Sequence, residues 1–167
     1  MTDRWTNKQD NDKKRIALVT GANRGIGFEV CKQLAQLSDM FVILTARNFE
    51  KGQSAAKQLK DKGMDISFYQ LDVCNDTDIK NISLQIEQQY GRLDILVNNA
   101  AILYDSWQDA IDADFQIVNR ALETNLFGPW RLCQIFIPLK KNGCGRIVNV
   151  SKFYNVLRFI DKIRFVA

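Results

Sequence analysis

Histidine is absent from all 167 residues. A chain without it runs no Ser-His-Asp or Cys-His catalysis, no HExxH zinc chemistry and no imidazole proton shuttle. Proline occurs only twice, no segment repeats, and at 46% hydrophobic residues the composition argues against a disordered chain or a solenoid. No apolar run approaches a membrane span. The opening stretch MTDRWTNKQDNDKKR mixes acids with bases and resembles neither a signal nor a transit peptide. The four cysteines, Cys31, Cys74, Cys133 and Cys144, form no CxxC pair. They read as reduced thiols, the expected location is cytoplasmic, and no metal site is expected.

A formal net charge of +4 is small and unevenly placed. Residues 1–15 carry five bases against three acids, residues 152–167 four against one, and residues 16–151 fourteen against fifteen. A near-neutral body offers no basic face, so nucleic acid is not an expected partner. The length suits one domain with an apolar core.

What is present is an alternation. RIALVT, FVILT, ISFYQL, LDILVN and GRIVNV are compact apolar runs suited to strands buried on both faces. Between them Ile26, Val30, Leu34 and Leu37 recur at helical spacing, as do Ile79, Ile82 and Ile86, and then Phe115, Val118, Leu122 and Leu126. Strand followed by helix, repeated, predicts an α/β fold: a doubly wound parallel sheet of about five strands with helices on both faces. Asn75 and Asp76 are candidate N-caps, and Gly63, Gly91 and Gly143 are candidate helix stops.

Directly after the first strand stands TGANRGIG, with Gly21, Gly25 and Gly27 opening the first helix. Glycines there let the backbone turn tightly and approach a pyrophosphate, whose charge the free amides and dipole of a helix N-terminus stabilise. About 20 residues further on, NAD sites carry an acid for the ribose 2′-hydroxyl. This chain has TARN there, and the guanidinium of Arg47 suits a 2′-phosphate instead, so NADP is expected over NAD. Arg24 is a further candidate, as is Lys51, which reads equally as a solvated helix-face charge. Asp72 reads either as an acceptor for an adenine amino group or as a cap for the next helix. NNAA at 98–101 puts two amides at the end of the fourth strand, where open α/β sheets place ligands. Asn125, a poor helix former in ETNLFG, either bonds locally or serves a site.

Together TGANRGIG, LDV, NNAA, ETNLFG and GRIVNVS resemble the short-chain dehydrogenase/reductase family, from about Arg15 to Ser151. LTARNFEKGQSAAKQL and FYQLDV are similar to its NADPH-dependent carbonyl reductase branch, which includes neomenthol and salutaridine type reductases. The resemblance implies a Rossmann fold in which Gly21, Asn23, Arg24, Gly25, Ile26 and Gly27 line the pyrophosphate. It also implies that Arg47 and Lys51 meet the 2′-phosphate, that Asp72 and Asn98 flank the adenosine half, and that Val73 and Ala100 are cofactor-binding. Asn125 matches the family's catalytic asparagine, which holds a water in the proton relay. Ala101 stands where the family usually has glycine.

The family continues IVNVSS, uses the second serine, and about a dozen residues later supplies a Tyr-x-x-x-Lys pair. Here Ser151 is followed by Lys152, so lysine occupies the catalytic serine position. Tyr69, Tyr90, Tyr104 and Tyr154 are followed four residues on by Val73, Asp94, Gln108 and Arg158, and no Tyr-x-x-x-Lys exists. Carbonyl reduction needs a proton donor, and the family's tyrosine serves because a nearby lysine lowers its pKa. The expected domains are a polar arm 1–15, a partial NADP-binding domain 16–151, and an unrelated amphipathic tail 152–167. The expected function is NADP(H) binding by a relative of carbonyl reductases, impaired in hydride transfer to a ketone or aldehyde. A non-catalytic subunit pairing with a full-length paralogue, through the helix containing Asn125, or a non-functional fragment are the alternatives. The fifth strand and one helix face are expected to lie bare, and the apolar stripe Phe153, Val156, Leu157, Ile160 and Ile163 of the tail is expected to dock as a helix.

Overall fold

The computed structural model describes residues 14–103, 114–139 and 145–151. Within them lie β1 (Arg15–Val19), α1 (Gly25–Ala35), β2 (Met40–Ala46), α2 (Phe49–Lys60), β3 (Ile66–Gln70), α3 (Asp76–Tyr90), β4 (Ile95–Asn98), α4 (Phe115–Leu122), a π-helical turn (Glu123–Phe127), α5 (Gly128–Phe136) and β5 (Arg146–Asn149). The tail, the arm up to residue 13, Tyr104, Gly143, Cys144 and Lys152 fall outside the described residues.

All five strands run parallel in the order β3-β2-β1-β4-β5. Side chains alternate across a strand, so neighbouring residues of β1 serve opposite cores. Ile16 and Leu18 join Phe41 and Ile43 beneath Ile79, Ile82 and Ile86 of α3 and Leu132 and Phe136 of α5. Ala17 and Val19 join Val42 and Leu44 beneath Cys31 of α1 and Ala55, Ala56 and Leu59 of α2. Burial on both faces explains why β1 and β2 read as unbroken apolar runs, with all seven residues of β2 buried.

The helices differ in how they match the sequence pattern. The α3 stripe is buried as expected, Asn75 caps it by accepting from the amides of Thr77 and Asp78, and Gly91 ends it at φ 67°. Asp76 is the first helical residue rather than the cap. On α1 the buried positions are Gly27 and Cys31, whereas Ile26 and Leu37 are 64% and 46% exposed. Leu37 lies past the helix end, and Ile26 points away from the sheet at the loop. For α2 the apolar pattern gave no stripe, because its sheet-facing residues are small: Gly52, Ala55 and Ala56, with Leu59. A Cβ at Gly52 would run into the Phe68 ring, so glycine here sets how closely the helix approaches β3.

The stripe Phe115, Val118, Leu122 and Leu126 is not buried. Each is at least 39% exposed, and no residue of α4 is buried among the described elements. Similarly, among the described residues β5 pairs only with β4, and all four of its residues are exposed. No helix of the described residues is long and apolar enough to cross a membrane.

Candidate cofactor site

The carboxyl ends of β1 to β4 make one rim, and Thr20 is its hub. Its amide donates to the Val97 carbonyl at 3.0 Å. Its hydroxyl donates to the same oxygen at 3.3 Å and accepts from the amides of Asn99 and Ala100, both at 3.0 Å. One buried side chain thereby joins the end of β1 to the chain leaving β4. From the other side, the Ala22 amide donates to the Thr45 carbonyl at 2.8 Å, and the Thr45 hydroxyl donates to the Val19 carbonyl at 3.0 Å.

The glycine loop is wedged into this frame. Asn99 Nδ2 donates to the carbonyls of Thr20 at 2.9 Å and Gly21 at 3.1 Å. Gly21 has φ +61°, and a Cβ there would stand 2.8 Å from Ala100 Cα. Gly27 is buried beneath, where a Cβ would strike Asn99 Nδ2 and approach Ala22 Cα and the Gly21 carbonyl, both at 2.9 Å. Gly25 differs: its φ of +60° also demands glycine, but a Cβ would meet nothing within 4 Å. Two glycines fit the loop against the protein, and the third turns it beneath open space. There α1 begins with extended Arg24 as its N-cap and no side-chain cap for its first amides. Unsatisfied donors at a positive helix end form an anion cradle, and the residues present fit a pyrophosphate.

Cationic side chains stand beside it. Asn23, Arg24, Glu50, Lys51 and Ser54 line a cleft of about 470 Å³ between the loop and the start of α2. Asn48 caps α2 by accepting from the Lys51 amide at 2.8 Å, fixing where Lys51 leaves the helix. Arg47, exposed just past β2, has its carbonyl held by Gln70 Nε2 at 3.0 Å. None of Arg24, Arg47 and Lys51 has an ion-pair partner among the described residues.

Past β3, Asp72 does not cap α3. Its Oδ1 accepts from the Cys74 amide at 3.0 Å, and its own amide donates to Asp78 Oδ2 at 2.9 Å. Val73, 5% exposed, packs under Gly128. Asn98 is 4% exposed, donates to Asn149 Oδ1 at 2.9 Å and lies 3.8 Å from Cys133 Sγ; its Oδ1 has no partner among the described residues. The two amides of NNAA therefore turn inward, one to β5 and one to the glycine loop.

Asn125 sits in the π-helical turn and clasps the backbone of one residue with both ends of its amide. Its Oδ1 accepts from the Ile102 amide and its Nδ2 donates to the Ile102 carbonyl, both at 2.9 Å. The chain that leaves Ala100 at the rim is thus clasped two residues later by Asn125. Ala101 is exposed, so its methyl group meets no packing conflict. Thr20 and Gly128 were not singled out by sequence, and Asn99 was named only as one of the two NNAA amides facing a ligand; a polar residue closing an apolar strand run was the available signal for Thr20.

Comparisons with known proteins agree with this fold. The short chain dehydrogenase family model matches residues 15–160, reaching past Ser151 into the segment expected to be unrelated. The chain is 39% identical to (+)-neomenthol dehydrogenase of Arabidopsis thaliana, over 86% of this chain and 55% of that protein. It is 39% identical to carbonyl reductase (NADPH) 3 of Homo sapiens, over 82% of this chain and 48% of that protein. It thus spans about half the length of the curated relatives it matches. A metagenomic short-chain oxidoreductase solved in complex with NADP superposes with a TM-score of 0.76 at 26% identity, covering 87% of this chain and 66% of that one. With a glycine loop seated on the β4 exit, a parallel five-stranded sheet around it and a family match over most of its length, the chain belongs to the short-chain dehydrogenase family.

Proposed function

We propose that this chain binds NADP(H) at the β1–α1 loop and derives from a carbonyl reductase that transfers hydride between NADPH and a ketone or aldehyde. The observation that carries the reading is the cradle itself. Gly25 turns beneath open space before an uncapped helix N-terminus, with Arg24 and Lys51 lining the adjoining cleft. Gly21, Asn23, Arg24, Gly25, Ile26 and Gly27 would hold the pyrophosphate. Arg47 and Lys51 would hold the 2′-phosphate, Asp72 would flank the adenosine half and Ala100 the remainder, with the buried side chains of Val73 and Asn98 supporting the rim from beneath.

When bound, the cofactor supplies the hydride. The chain's own residues bind and orient it: α1 neutralises the diphosphate with its first amides, and Arg47 distinguishes a 2′-phosphate from a 2′-hydroxyl by a charge-assisted contact. Asn125 fixes the Ile102 backbone beside the rim. No residue of the 167 supplies the Tyr-x-x-x-Lys proton donor, and Lys152 stands in the serine position, so these residues by themselves bind the cofactor without completing reduction. The exposed stripe Phe115, Val118, Leu122, Leu126 and Trp130 favours a second reading, in which the module works paired with another chain.

The test is thermal unfolding of the chain titrated with NADPH and with NADH. A ligand bound only by the folded state stabilises by RT ln(1 + [L]/Kd), about 2.7 kcal/mol at a hundredfold excess over Kd. A larger upward shift with NADPH than with NADH is expected. Indifference to both cofactors refutes the reading.

A further inference from the structure

No backbone torsion requires glycine at position 128. Its φ of −56° and ψ of −58° are ordinary helix, where alanine is the better former. The demand comes from Val73. A Cβ at 128 would stand 2.9 Å from Val73 Cγ2, 3.1 Å from its Cβ and 3.3 Å from its carbonyl oxygen. Val73 is buried and β-branched, so its side chain is stiff, and the carbonyl contact means that the intruding methyl would press on backbone as well.

Gly128 opens α5 immediately after the turn that holds Asn125, and further contacts tie that turn to the same strand exit. Thr124 Oγ1 lies 3.4 Å from Cys74 Sγ. Arg131 joins Glu123 at 2.8 Å to Asp76 at 3.4 Å. The segment leaving β3 is therefore seated on the π-helical turn and the start of α5, and Gly128 is a point of close backbone approach between them.

We propose that Gly128 is a positioning residue for the adenosine half of the cofactor. By lacking a Cβ it lets Val73 sit down on α5 and sets where the 72–74 segment stands at the rim. This assignment rests on the NADP(H) reading above. The same seat links the adenosine side to the Asn125 turn, so a displacement at one is felt at the other.

The experiment measures affinity of the full chain for NADPH, by fluorescence titration, and for adenosine 2′,5′-bisphosphate, by calorimetry, in Gly128→Ala, Val73→Ala and the double variant. Gly128→Ala is expected to weaken both ligands about tenfold, the scale of one overpacked methyl transmitted to the contact. The double variant is expected to bind both more weakly than Val73→Ala, but by less than tenfold, because losing Cγ2 relieves the 2.9 Å contact while those to Cβ at 3.1 Å and the carbonyl oxygen at 3.3 Å remain. Where Gly128→Ala does not fold, the comparison of Val73→Ala with the double variant carries the test. A lowered melting temperature with unchanged affinity in Gly128→Ala, or a double variant that either equals Val73→Ala or falls a further tenfold below it, overturns the proposal. Failure of the parent chain to bind either probe refutes the NADP(H) reading instead.

Discussion

Replacing Gly27 by alanine tests whether the glycine loop is wedged on the β4 exit as described. The added methyl would displace Asn99 Nδ2, which donates to the carbonyls of Thr20 and Gly21, and would press on Ala22 Cα and the Gly21 oxygen, both 2.9 Å away. Two of these neighbours are backbone and cannot rotate aside. Overpacking of this kind costs about 1–3 kcal/mol, and each lost hydrogen bond contributes about 1 kcal/mol. Alanine's better helix propensity returns about 1 kcal/mol at most, since position 27 lies in the first turn. The net loss is about 2–4 kcal/mol. Urea unfolding of the chain reads it directly: with a slope of about 1–3 kcal/mol per molar, the midpoint falls by about 1–2 M at unchanged slope. Adding Asn99→Ala to this background costs little more, because the amide has already lost its partners, whereas Asn99→Ala alone is clearly destabilising. A Gly27→Ala midpoint within about 0.3 M of the parent refutes the packing argument.

Arg47→Asp replaces a cation that has no ion-pair partner among the described residues with the acid suited to a ribose hydroxyl. NADPH affinity is expected to fall by about 10- to 100-fold, the worth of a charge-assisted hydrogen bond, while NADH affinity holds or rises; equal losses for both contradict the assignment. Burial raises the Cys31 pKa from 9.0 to about 12. The folded thiol stays neutral where the unfolded one ionises, so this contribution to stability is complete below pH 9 and is lost as pH rises towards 12. Denaturation midpoints of Cys31→Ala should therefore show a shallower alkaline decline than the parent, and identical slopes above pH 9 refute the linkage.

The sequence was most legible where burial is two-sided. β1 and β2 announce themselves as apolar runs because both faces are covered, and Ile79, Ile82 and Ile86 align because α3 presents one dry face. It was least legible where shape replaces hydrophobicity. α2 packs through Gly52, Ala55 and Ala56, which carry little apolar signal, and Gly128 is set by a neighbour 55 positions away in the chain, Val73, that no local pattern names. Phe115, Val118, Leu122 and Leu126 have the spacing of a core stripe and yet lie exposed, since periodicity records which face is apolar and not what covers it. At the site, the glycine loop and Arg47 could be placed by position after β1 and β2. The division of labour between Asn98 and Asn99 could not, because adjacent residues leaving a strand point to opposite sides and only the fold decides which side holds the loop.

The order β3-β2-β1-β4-β5 also has a kinetic meaning. β1, β2 and β3 join through successive nearest-neighbour crossovers, whereas β4 must return across the assembled half to reach the opposite edge of β1. That closure joins Ile16 to Asp94, 78 positions apart, through an amide-to-carboxylate bond of 2.8 Å. Long closures cost more chain entropy before contacts reward them. The N-terminal half can collapse early, but Thr20, Asn99 and Ala100 meet only once β4 is home. Competence to hold a ligand is thus expected to wait for the strand pairing with the greatest distance to span among the described residues.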